Sequence, residues 1–81
     1  MKRKSSGARR PLLDWVLCRG RQILTCQVAR KGRQYRVCVR PQGARSKLYD
    51  KLFDASLGAF QRHAALVAQL RGAGWTSVAY R

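Results

Sequence analysis

The sequence predicts a small α+β domain, an antiparallel sheet with one packed helix in the order β-β-β-α-β. Three observations lead there. Apolar residues alternate with period two between Leu13 and Val39, the mark of half-buried strands. From Ala55 to Arg71 the apolar spacing changes to that of a helix. Gly20, Gly32, Pro41, Gly72 and Gly74 fall at the joints between these segments.

Strand one carries Leu13, Trp15 and Leu17 on one parity, and Gly20-Arg21 follows as a turn. Strand two carries Leu24, Cys26 and Val28; strand three carries Tyr35, Val37 and Val39. A tight turn at Gly20-Arg21 sets Leu17 opposite Leu24, Trp15 opposite Cys26 and Leu13 opposite Val28. A turn at Lys31-Gly32 sets Arg30 opposite Arg33 and Val28 opposite Tyr35. Both hairpins then turn one apolar face the same way, an agreement that a one-residue slip would destroy. The reverse face is mixed, with Asp14, Thr25, Gln27, Arg36, Cys38 and Arg40 among its residues. Pro41 ends strand three or confines it to an edge.

The stretch from Pro41 to Lys51 is a basic connection, which Leu48, Tyr49, Leu52 and Phe53 anchor to the core or extend as a short further strand or turn. Asp54 is the expected N-cap of the helix, with Phe53 as its staple residue. Phe60, Ala64, Val67 and Leu70 form the expected buried side, with Leu57 and His63 at its edges. Gln61, Arg62, Ala65 and Gln69 face away, and Gly58 weakens the first turn. Residues 75–80 return as a last strand. The division expected is a flexible basic arm over residues 1–11 and a single compact domain over 12–81.

At 81 residues there is material for one small core, and 46% hydrophobic content is too much for a disordered basic tail. Eighteen Lys and Arg against three acids give a formal charge of +15. Such a charge repels itself unless a polyanionic or acidic partner neutralises it. No apolar run approaches the roughly 20 residues of a membrane span, and the basic start lacks the apolar stretch of a secretory leader. A cytoplasmic or nucleoid-associated location follows as the expectation.

Catalytic chemistry finds few candidates. Parity sends Cys26 to the core and Cys18 and Cys38 to the opposite face, so three thiolates do not converge on a metal. The odd count argues against a disulfide framework, and two strand spacings, roughly 9.6 Å, keep Cys18 and Cys38 beyond disulfide reach. His63 is the single histidine, without a nucleophile or carboxylate three or four residues away, and reads as a core-boundary residue. With three Asp and no Glu, paired-carboxylate chemistry is poorly supplied, and Gly72-Ala73-Gly74 follows a helix where a phosphate loop would open one. Trp15 and Tyr35 share the parity of the core. No enzymatic activity, cofactor or metal is expected.

The helix is nearly uncharged on its outer side, unlike a recognition helix. The cations sit instead on the tail, the turns and the reverse sheet face. The expectation is therefore a non-enzymatic nucleic-acid-binding protein, with DNA favoured over RNA because no outward aromatic pair marks an RNA-binding sheet. The residues expected to make the contact are Arg9, Arg10, Arg19, Arg21, Arg30, Lys31, Arg33, Arg36, Arg40, Arg45 and Lys47. An inhibitor or adaptor docking on an acidic protein surface is the alternative, and a ribonucleoprotein component is a third. No membrane contact is expected.

Overall fold

A computed structural model describes residues 11–43 and 46–80, with side chains described through residue 78. The strands are β1 (Leu13–Arg19), β2 (Gln22–Lys31), β3 (Gln34–Pro41), β4 (Tyr49–Phe53) and β5 (Thr76–Tyr80), with helix α1 (Ser56–Gly72) before the last. They form one antiparallel sheet in the order β4-β3-β2-β1-β5. The α+β class and the three-strand, helix, strand succession are as the sequence predicts. Tyr49–Phe53 is the further short strand, added to the edge beside β3. Since β4 and β5 lie at opposite edges, α1 carries the chain back over one face of the sheet. Among the described residues no helix is long and apolar enough to cross a membrane.

The first hairpin has the expected register, Leu17 opposite Leu24, Trp15 opposite Cys26 and Leu13 opposite Val28. The second is shifted. Lys31 pairs with Gln34, so Val28 lies opposite Val37 and Arg30 opposite Tyr35. The turn is Gly32-Arg33, because the positive φ of 62° at its first central position needs glycine. Gly20 takes the same φ in the first hairpin. The shift of the pairing is an even one, so every side chain keeps its expected face.

Leu17, Leu24, Cys26, Val28, Val37 and Val39 are buried beneath α1, with Leu13, Trp15 and Tyr35 packed around them. Helix phase departs from expectation. Ala59, His63 and Val67 face the sheet, while Phe60 and Ala64 are exposed. One residue of helix, about 100°, separates the two readings. Ala59 lets the helix backbone approach Val28 and Val37, and His63 donates from Nε2 to the Cys26 carbonyl at 3.0 Å. Apolarity alone ranks Phe60 above both.

The cap also differs. Ala55 is the N-cap, without a side-chain hydrogen bond, and Asp54 instead accepts from Gln34 Nε2 at 3.0 Å across to β3. The other end closes as a Schellman motif: Trp75 N–H donates to Leu70 O and Gly74 N–H to Arg71 O, at 3.0 and 3.1 Å. Gly74, with φ 98°, occupies the left-handed position that this motif requires.

Candidate nucleic-acid interface

The outer sheet face, opposite α1, takes its character from residues of even parity on β1 and β3 and odd parity on β2. Asp14 lies opposite Gln27, Val16 opposite Thr25 and Thr25 opposite Arg40. Together with Pro41–Gly43 they border a shallow groove of about 500 Å³. Asp14 Oδ1 is shut off from solvent and has no hydrogen-bond partner among the described residues.

The expected contact residues divide sharply in what they already hold. Arg36 donates to Asp50 through Nε at 2.6 Å and through Nη2 at 2.5 Å, and Lys47 Nζ reaches the same carboxylate at 3.3 Å. Hydrogen bonds from Arg36 hold the Asp50 carboxyl well below the usual carboxylate range, and the same contact raises the Arg36 guanidinium. Arg19 is turned to the helix side, where Nη1 donates to Ala73 O at 3.2 Å and the guanidinium lies 5.0 Å over the Trp75 ring. Arg30 Nε is spent on the Gly32 carbonyl at 3.2 Å.

Arg21, Lys31, Arg33 and Arg40 are exposed and make no ion pair among the described residues. Arg21 and Arg33 occupy matching places, since Arg19-Gly20-Arg21-Gln22 is echoed by Lys31-Gly32-Arg33-Gln34. The two turns bound β2, and its ten residues set them about 30 Å apart. Arg9, Arg10 and Arg45 lie outside the described residues, as does the expected arm apart from Pro11.

Two features of this face are absent from the sequence reading. The repeat of Lys/Arg-Gly-Arg-Gln was a visible signal, because it fixes glycine as the first turn residue in both hairpins. The Asp50 clamp had no such signal: it depends on the register of β4 against β3, where Cys38 faces Asp50 and brings Arg36 diagonally beside it.

The titratable groups of the inner layer are held away from this surface. Burial pushes the Cys26 thiol up to about 12, with a further contribution from Cys38, which keeps it protonated. All three cysteines are free, and the described residues contain no cluster of three groups able to hold a metal ion. Trp75 and Tyr49 pack against the core as half-buried residues. No protein-family model matches the chain, and neither a curated protein nor a solved structure matches it.

Proposed function

We propose that this is a non-enzymatic nucleic-acid-binding protein that takes DNA before RNA. It grips the phosphate backbone through its two basic turns, the outer sheet face and the basic residues that precede β1. The observation that carries this reading is the pair of matching turns, which present Arg21 and Arg33 at opposite ends of β2 with Arg40 on the face that joins them. Ion pairs inside the protein already occupy Arg36 and Lys47, whereas these cations have their donors open to phosphate oxygens. A protein of this kind belongs in the cytoplasm or on the nucleoid.

Binding of this type is driven by release of counterions. With six to ten phosphate contacts, affinity falls about 10³- to 10⁵-fold between roughly 50 and 200 mM salt. Titration of mixed-sequence duplex DNA, duplex RNA and single strands across that range tests the reading. Duplex DNA is expected to bind tightest and to show the steep salt dependence. Absence of binding to all of them at low salt, with capture by a polyacidic protein surface, would replace it with the protein-docking alternative.

A further inference from the structure

Beyond the end of α1 at Gly72, a cleft of about 560 Å³ opens between the first hairpin, the end of β3 and the segments leading into β4 and β5. Sites for small ligands run from roughly 300 to 1,000 Å³, so the cleft has room for one. Arg19 and Arg21 border it, with the carboxamides of Gln22 and Gln42 and apolar surface from Leu48 and Trp75. None of the three acids of the chain lines it, so its formal charge is wholly positive. Leu48 is 64% exposed, which leaves that apolar surface open to a partner. Arg19 is fixed from three sides: Nη1 donates to Ala73 O at 3.2 Å, Nη2 to Gln22 Oε1 at 3.4 Å, and the guanidinium lies 5.0 Å over the Trp75 ring. An arginine held in this way is a fixed plane instead of a flexible arm, and stacking on it costs little further side-chain entropy.

Unpaired bases stack on aromatic rings and on guanidinium planes, and carboxamides hydrogen-bond to their edges. We propose that the cleft holds an unpaired nucleobase at the end of a DNA duplex, stacked on the Arg19–Trp75 pair, with the Gln22 and Gln42 carboxamides on its edge and Arg21 on the adjoining phosphate. This rests on the nucleic-acid reading above and adds to its phosphate grip a site for a base. Arg21 joins the two, since it is a turn cation with no ion pair among the described residues and also borders the cleft. A base inside the duplex has both faces covered by its neighbours and cannot enter without being extruded. An acidic peptide would use the two arginines but give the fixed plane and the carboxamides no role.

The test compares a blunt DNA duplex with the same duplex carrying a short single-stranded extension, made once with bases and once from abasic residues. The two extended duplexes carry the same number of phosphates, so their affinity ratio isolates the base. Wild type is expected to bind the extension with bases about 5- to 150-fold tighter than the abasic one, the range of one stacked base. That ratio should hold as salt rises, because the phosphate contacts cancel. Bases and not abasic residues should quench the emission of Trp75. Trp75→Leu and the exposed Leu48→Ala, each verified by thermal unfolding, should bring the ratio towards one and leave blunt-duplex affinity unchanged. Should Trp75→Leu fail to fold, Leu48→Ala and the wild-type ratio decide. Equal wild-type affinity for the two extensions, or a ratio that both variants preserve, overturns the inference while leaving the DNA-binding reading in place. No binding to any of the three duplexes at about 50 mM salt overturns both, and quenching of Trp75 by polyglutamate in their stead would assign the cleft to an acidic protein.

Discussion

Arg36 and Asp50 form a two-pronged ion pair across β3 and β4, with both nitrogen–oxygen contacts at 2.6 Å or less. It removes from circulation the cation that parity alone marks as central to the outer face. The side chains remain about a third exposed, at 31% and 36%, so the pair contributes little to stability but a good deal to the local charge.

Substituting Asp50→Asn releases Arg36 and Lys47 and raises the net positive charge. Duplex affinity at low salt is expected to rise, and the salt dependence to steepen by about one phosphate contact or more. Stability should change by less than about 1 kcal/mol. Binding isotherms at several salt concentrations, with thermal unfolding alongside, measure both. An unchanged isotherm would show that Arg36 lies outside the contact.

His63 makes stability depend on pH in a defined direction. Burial lowers its affinity for a proton, opposed in part by the bond to the Cys26 carbonyl, so the folded pKa lies below the ordinary 6.5. The unfolded chain therefore binds more protons as pH falls past that value. The contribution is complete above about pH 6.5 and is lost as pH drops through the lower folded value. Thermal unfolding should shift to lower temperature between about pH 7.5 and 5.5, and His63→Gln should flatten the trend. As His63 is the single histidine, no other imidazole shares that window.

The phase of α1 can be checked by adding bulk. Ala59 is fully buried against Val28 and Val37, whereas Ala64 is exposed. Ala59→Leu should destabilise by about 1–3 kcal/mol, and Ala64→Leu by no more than about 0.5 kcal/mol. Denaturant unfolding of the two variants reads the difference. The reverse ranking would restore the helix face centred on Phe60.

Gly58 leaves room for a methyl group. A Cβ built there meets Phe53 Cδ2 at 3.5 Å, an ordinary contact, and the residue lies inside α1. Gly58→Ala should stabilise by about 0.5–1 kcal/mol through helix propensity and a less flexible unfolded chain. A lower unfolding temperature would mean that the β4–α1 joint is packed more tightly than this.

The strand faces were legible in the sequence because side-chain period is two and both hairpins agree. Even the wrong turn at Lys31-Gly32 moved the pairing by an even step and left Val37 inside and Arg36 outside. Helix phase was less legible: Phe60 outweighs His63 on hydrophobicity, yet a histidine that can donate to Cys26 O is admitted to the core. The site was half legible. Exposed turn cations follow from local sequence, but the Asp50 clamp and the enclosed Asp14 oxygen arise from strands that meet only in the folded sheet.

The most direct measurement compares two variants of equal charge, Arg21→Ala/Arg33→Ala at the turns and Arg62→Ala/Arg71→Ala on the exposed helix side. All four arginines are exposed, so neither pair opens the core, and thermal unfolding verifies this. The turn pair is expected to weaken duplex DNA binding and to reduce the magnitude of the salt slope by about two, while the helix pair stays close to the parent. Equal losses in both would mean that net charge alone binds DNA. A larger loss in the helix pair would contradict the assignment of the contact to the turns and the outer sheet face.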